Sequence, residues 1–363
     1  MNTTADGINN KTFMKALVYN GPNSIVWEEK PKPVIKEGTD AIVQITTTTI
    51  CGTDLHILKG DLPAITKGRI LGHEGVGIID EVGANVLNFH KGDKVLISII
   101  SSCGRCGFCR KAMPSHCLNG GWQLGNRIDG TQAEYVRIPY ADNGLYLLPG
   151  EVEEEAVVML SCILPTGLEC GAMNGQVKPG DIVAIVGAGP VGMAALLTTQ
   201  LYSPSMIVMI DIDDNRLKIA SSLGASHVVN SSDGQASLKV MEFTQNAGVN
   251  VAIEAVGVSA AFDICQSIIA PGGRIANVGV HAKAVELHLE KLWALNMTLT
   301  TRLVDGGSTP MLLKMIQSGR LDAKKLVSHR YKLSEVIKAY DTFANAQKLH
   351  ALKVILWNEK AGE

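Results

Sequence analysis

No apolar run in this chain of 363 residues reaches the roughly 18 needed for a membrane-spanning helix, so no membrane partner is expected. Nor does either sign of charge dominate. A formal net charge of −2 gives no electrostatic handle for nucleic acid or an anionic surface. The first thirteen residues, MNTTADGINNKTF, are polar and lack the apolar stretch of a secretory signal. They read as a frayed leader, and the cytoplasm is the expected compartment. Internal repeats and low-complexity segments are also missing. What remains is a globular composition, 46% hydrophobic and 19% charged. It is long enough for two cores at roughly 100–200 residues per domain. The eight cysteines do not resemble a disulfide framework, because four crowd between Cys103 and Cys117 and the rest are scattered. Metal ligation or burial suits them better.

The chain is organised around residues 181–211. Residues 182–186 form a short, β-branched apolar run, which predicts a buried parallel strand. It leads into Gly187-Ala188-Gly189-Pro190-Val191-Gly192, then a helix-like segment over 191–201, then a second buried run at 206–210 closed by Asp211. In such a βαβ unit the first glycine permits the turn and the second admits a pyrophosphate to the backbone. The third lets helix and strand pack closely, and the helix N-terminus faces the phosphate charge. Asp211, about twenty residues on, is placed to accept the hydroxyls of an adenosine ribose.

Before this unit, residues 14–160 read as mostly β. Strands are expected at 15–19 and 41–49, with short strands and glycine turns at 72–83 and 93–100, together suggesting a small irregular barrel. After it, helices at 213–223, 237–246 and 259–270 alternate with strands at 227–230, 249–256, 274–280 and 298–304. That rhythm predicts a doubly wound parallel sheet of six strands. A helix near 311–318 and a strand at 352–357 have no place in that sheet and are expected to return to the first domain.

Cys103, Cys106, Cys109 and Cys117 follow C-x2-C-x2-C-x7-C. Four thiolates on one short loop can close a tetrahedral zinc shell with no open position. An iron–sulfur cluster, whose ferredoxin spacing differs in the last gap, and a set of free thiols are the other readings. A second constellation is dispersed. Cys51-Gly-Thr-Asp-Leu-His56, Gly72-His73-Glu74 and Cys162 could supply two thiolates and one imidazole, leaving a fourth position for an alcohol oxygen. Zinc there would act as a Lewis acid toward the alcohol while a nicotinamide takes the hydride. Taken singly, Cys51 and Cys162 read equally as buried small hydrophobes, and His73 as a satisfied polar group. Cys170 and Cys265 fall in apolar helical stretches and read as core.

These motifs, with Thr166-Gly167 and the glycine turn, stand in the order of the zinc-dependent medium-chain alcohol dehydrogenases, which this chain resembles from about residue 14 onward. The resemblance implies an α/β architecture. A GroES-like β-barrel catalytic domain would span 1–163 and 303–363, with a structural-zinc lobe at about 100–120, and a Rossmann NAD-binding domain would span 164–302. It implies two Zn2+ per chain, a catalytic ion on Cys51, His73 and Cys162 and a structural ion on the four-cysteine loop. Thr53 and His56 match the proton relay, in which the Thr hydroxyl passes the alcohol proton through the nicotinamide ribose to His56. Asp54 matches the carboxylate that orients the ligand histidine, and Glu74 the nearby acid that can visit the metal. NAD contacts are implied at Thr166, Gly187, Gly189, Pro190, Val191, Gly192, Asp211, Arg216, Val256, Val278, Gly279 and Val280. Lys353 aligns with a basic residue near the cofactor phosphates. Leu62, Ile99 and Trp122 are implied to line the substrate pocket.

Two departures from the bacterial secondary-alcohol branch stand out. That branch carries Asp where this chain has Cys162, and small or basic residues where it has Asp211. A carboxylate there repels a 2′-phosphate, so NAD is expected over NADP. The expected activity is interconversion of a primary or secondary alcohol with its aldehyde or ketone by a homo-oligomer, a tetramer rather than a dimer. The rivals are a polyol or L-threonine dehydrogenase of the same fold and a non-catalytic NAD-binding protein.

Overall fold

The computed structural model describes residues 12–148, 150 and 152–361; the leader expected at the N-terminus lies almost wholly outside them. The first part of the chain forms two sheets rather than a run of isolated strands. Phe13–Gly21 pairs antiparallel with Ser24–Pro31 and with Arg69–Ile70. Ser24–Pro31 had not been expected, because its alternation is carried by a mixture of charged and apolar residues. The larger sheet has seven strands centred on Ala41–Thr49. This strand is antiparallel to Gly75–Val82, to Tyr135–Ile138 and to Lys353–Trp357. The tail strand therefore does return to the N-terminal region.

The second sheet has six parallel strands. In spatial order they are His227–Asn230, Met206–Asp211, Ile182–Val186, Val249–Glu254, Ile269–Asn277 and Thr298–Thr301. Successive side chains point to opposite faces, as a strand requires. Val183, Ile185, Ile207, Met209 and Ile253 pack into one apolar cluster, and Ala184, Val186, Val208, Ile210 and Ala252 into another. The first cluster runs on into Val76, Leu96, Leu164, Leu168 and Ile355, so one continuous core joins the two sheets. The bridge is the buried helical stretch 154–173, whose last part, Thr166–Met173, is π-helical. Among the described residues no single helix is long and apolar enough to cross a membrane.

Two local features set up the chemistry. Ala41–Thr49 ends just before Cys51, which caps an unforeseen helix, Gly52–Lys59; the Cys51 N–H donates to Asp54 Oδ2 at 2.9 Å. At the glycine turn after Ile182–Val186, Gly187 has φ +104°, and a Cβ there would also strike Val256. A Cβ on Gly192 would run into the Gly187 carbonyl oxygen, whereas one on Gly189 would meet only Arg216 Nη1, at 4.0 Å. The middle glycine thus faces open space, and the outer two make the close turn possible.

Candidate active site

Cys51, His73 and Cys162 come from three distant segments, yet their ligand atoms lie within 4.8 Å of one another. All three are buried, at 5%, 1% and 6% exposure. Both ring nitrogens of His73 lack a hydrogen-bond partner despite that burial, and so does Asp54 Oδ1. Asp54 Oδ1 stands 3.8 Å from His73 Nδ1, while its other oxygen accepts the Cys51 N–H and Gln132 Nε2. Buried polar atoms are rarely left unpaired, so this cluster has the donors of a cation site. Charge and proton are shared among its three donors. The neighbouring Cys162 thiol draws the Cys51 thiol well below the ordinary value, against burial, and Cys162 is raised in turn. Burial alone would depress the His73 imidazole, but the Cys51 and Asp54 charges outweigh it and hold it at about 9. Burial pushes Asp54 up to about 6 against the pull of His73.

Cys103, Cys106, Cys109 and Cys117 form the second cluster, also within 4.8 Å. Cys106 Sγ lies 3.5 Å from Cys109 Sγ and 4.0 Å from Cys117 Sγ. The Cys103 N–H donates to Cys117 Sγ at 3.3 Å, and the Arg105 N–H draws the Cys103 thiol down to about 6. Backbone donors aimed at sulfur favour thiolates, the form that binds metal.

The first cluster opens into a cleft of about 290 Å³ between the two sheets. Thr53 and His56 line it, with Thr53 Oγ1 3.8 Å from Cys51 Sγ and His56 Nδ1 2.8 Å from Asp61 Oδ2. Thr166, Gly189, Pro190, Val191, Val256, Val278, Gly279 and Val280 border the same space. Gly187, Gly192, Asp211 and Arg216 are not on its wall. Asp211 sits behind the turn, accepting the Ala188 and Asp213 N–H groups at 2.6 and 2.9 Å. Leu62, Ile99 and Trp122 all face the cleft. Trp122 is anchored by Nε1 to the Leu124 carbonyl at 3.0 Å, with its ring edge-on to His73.

Two residues show more than the sequence foretold. Lys353 is fully buried yet borders the cleft; its Nζ donates to the Glu74 carboxylate and to the Ile50 carbonyl at 3.2 Å. Burial would lower the Lys353 pKa, but the Glu74 and Cys51 charges hold it above its ordinary value. Glu74 also accepts the Thr49 hydroxyl. Cys170 is buried, as expected of a core residue, but the π-helical turn carries it to the cleft beside Cys162. Sequence reasoning also missed Arg302, Leu303 and Val304 as wall residues. The expected strand 298–304 ends at Thr301, and the wall is the irregular chain that follows.

The sequence matches two families, Alcohol dehydrogenase GroES-like domain over residues 37–150 and Zinc-binding dehydrogenase over residues 190–318. An alcohol dehydrogenase of Cupriavidus necator is 37% identical across 95% of this chain and 98% of its own length. The chain belongs to the zinc-dependent medium-chain alcohol dehydrogenase family. Its architecture is accordingly a GroES-like β domain joined to a Rossmann-type domain. Among solved structures, the apo form of zinc dependent alcohol dehydrogenase 2 from Streptococcus pneumonia superimposes with a TM-score of 0.93 at 52% identity. The match covers 96% of this chain and 100% of that one. Galactitol-1-phosphate dehydrogenase from Escherichia coli superimposes with a TM-score of 0.85 at 25% identity, over 95% and 100% of the two chains. The structural neighbours thus include both an alcohol dehydrogenase and a galactitol-1-phosphate dehydrogenase.

Proposed function

We propose that this protein transfers hydride reversibly between a primary or secondary alcohol and NAD, giving the aldehyde or ketone, with two zinc ions per chain. Cys51, His73 and Cys162 would hold the catalytic ion, and Cys103, Cys106, Cys109 and Cys117 the structural one. The observation that carries the reading is convergence. A buried three-donor cluster, a hydroxyl and imidazole pair, and a glycine turn all border one cleft. The donor set fits zinc, since two thiols and an imidazole with both nitrogens unpartnered match a tetrahedral shell with one position free. When bound, zinc supplies Lewis acidity toward the alcohol oxygen, and NAD supplies the hydride acceptor.

The chain's own residues handle the proton and the fit. Thr53 Oγ1, beside Cys51, is the first acceptor for the alcohol proton. His56, a third exposed and steadied by Asp61, lines the same cleft as a general base able to release a proton to water. Asp54 lies behind His73, its Oδ1 3.8 Å from Nδ1, where its charge would steady the imidazole. Lys353 holds Glu74 as an ion pair, so that the acid is neutralised beside the cluster. Asp211 favours NAD, because its carboxylate is fixed at the end of its strand where a 2′-phosphate would meet negative charge. The substrate wall is mostly apolar, formed by Leu62, Ile99, Ile100, Trp122 and Val304. A polyol's extra hydroxyls would find few partners against it.

Initial rates with primary, secondary and polyhydric alcohols, each with NAD and with NADP, test the reading. Turnover of apolar primary or secondary alcohols with NAD is expected. Turnover of polyols alone would favour the polyol dehydrogenase reading, and a preference for NADP would overturn the role given to Asp211.

A further inference from the structure

The four-cysteine lobe is the excursion between two short paired strands, Ile100–Ser101 and Gly121–Trp122. The side chains at its feet, Ile100 and Trp122, line the cleft. The lobe is fastened a second time beside these strands, where the Ser115 carbonyl lies against Gly121. Ser115 lies on the turn Pro114–His116, just before Cys117, and is 7% exposed. Its N–H and its hydroxyl both donate to Asp305 Oδ1, at 3.1 and 2.6 Å, across a sequence separation of 190 residues. The other carboxylate oxygen of Asp305 accepts Arg302 Nη2 at 2.9 Å. Arg302 begins the irregular segment whose next two residues, Leu303 and Val304, also face the cleft.

The same segment is held from behind. Glu169, 2% exposed on the π-helical turn, accepts the N–H groups of Asp305, Gly306 and Ser308 at 2.8–3.1 Å. Its neighbour Cys170 faces the cleft. A carboxylate that only capped its own loop would bond nearby amides. Asp305 instead spends one oxygen on the lobe and the other on the cleft wall, and both are charge-assisted contacts. Cutting the first leaves the wall segment held by Glu169, by the Tyr146 hydroxyl on the Gly306 carbonyl at 3.0 Å and by the packing of Val304, without its tie to the lobe. Because reacting groups tolerate little displacement, such slack in the wall reaches the chemistry through substrate placement.

We infer that Asp305 is a positioning residue that ties the four-cysteine lobe to the 302–304 wall, so that the lobe sets the shape of the alcohol pocket as well as holding its own loop. The consequence for turnover rests on the proposed function; the mechanical link does not.

Hydrogen exchange read by mass spectrometry on the holoenzyme tests the link. Ser115→Ala removes one bond to a charged group, so exchange across residues 302–308 should quicken about tenfold while residues 182–186 stay protected. Ser115→Thr keeps the hydroxyl and should restore the slow exchange. In kinetics, Asp305→Ala should raise KM for a secondary alcohol about tenfold with kcat within about twofold and zinc content unchanged. Unaltered exchange over 302–308 in Ser115→Ala, or equal quickening over 182–186, would overturn the inference, as would an unchanged KM in Asp305→Ala. A wild-type enzyme inert toward every alcohol would remove the proposed function, while the exchange result would still decide the link.

Discussion

The four cysteines of the lobe lie on one loop between residues 103 and 117, and the three large apolar side chains around them, Phe108, Met113 and Leu118, are all more than a third exposed. The Cys51–His73–Cys162 cluster draws on three segments, and none of its donors exceeds 6% exposure. Ile99, Ile100 and Val304 pack directly against it. The lobe therefore has little apolar core to replace the free energy of a bound ion, whereas the buried cluster is held in place by the surrounding protein. A closed shell on a weak core makes the metal a staple; an open shell in a strong core makes it a reagent. That difference predicts which property each cluster controls.

The largest effect is expected at the buried cluster, where only the proton path is altered. Thr53→Ala should lower kcat by about 10²–10⁴-fold, with zinc content and melting temperature as in the wild type. Full activity in that variant would mean that protons leave elsewhere, and would separate the cleft from the chemistry assigned to it. Asp211→Gly probes the far side of the cleft. It should shift the NAD-to-NADP ratio of kcat/KM by about tenfold or more toward NADP, since one change removes both the ribose acceptor and the repulsion. A ratio that did not move would place cofactor choice on other residues. The smallest effect is expected at the wall. Ile99→Trp should reduce kcat/KM for a secondary alcohol several-fold more than for ethanol, because the added ring fills space beside the reacting carbon, about 1–3 kcal/mol of discrimination. Equal losses on both substrates would make Ile99 a packing residue only.

The contrast between the clusters also explains what the sequence revealed. The lobe is legible because all its ligands fall in one window, so spacing alone suggests a metal. The six-stranded sheet is equally legible. Two of its inner strands, Ile182–Val186 and Met206–Asp211, are buried on both faces and read as continuous apolar runs, and Gly187 and Gly192 mark turns that larger side chains would clash with. The buried cluster was not legible from spacing, since nothing local relates Cys51 to Cys162; only the ordered motifs of a family joined them. The pairing of Lys353 with Glu74 was hidden for a related reason. An ion pair spanning 279 residues leaves no periodic trace, and the family's motifs relate Lys353 to the cofactor phosphates rather than to Glu74. Cys170 is core, as its apolar surroundings predict, but its place on the cleft was hidden, because a π-helical turn displaces side chains from the positions that α-helical periodicity predicts. Arg302, Leu303 and Val304 lie just past a strand end, where sequence boundaries are least sharp.

The central claim is that the two clusters hold one ion each for different purposes, and metal content with stability measured on three proteins tests it most directly. Wild type purified without chelator should carry two zinc ions per chain. Cys51→Ala should carry one, melt within about 3 °C of wild type and be inactive. Cys106→Ser should also carry one, but melt about 10 °C or more below wild type, since the lobe loses its staple. If Cys106→Ser kept two ions and its stability, or if Cys51→Ala collapsed as Cys106→Ser is expected to, the division between staple and reagent would be wrong.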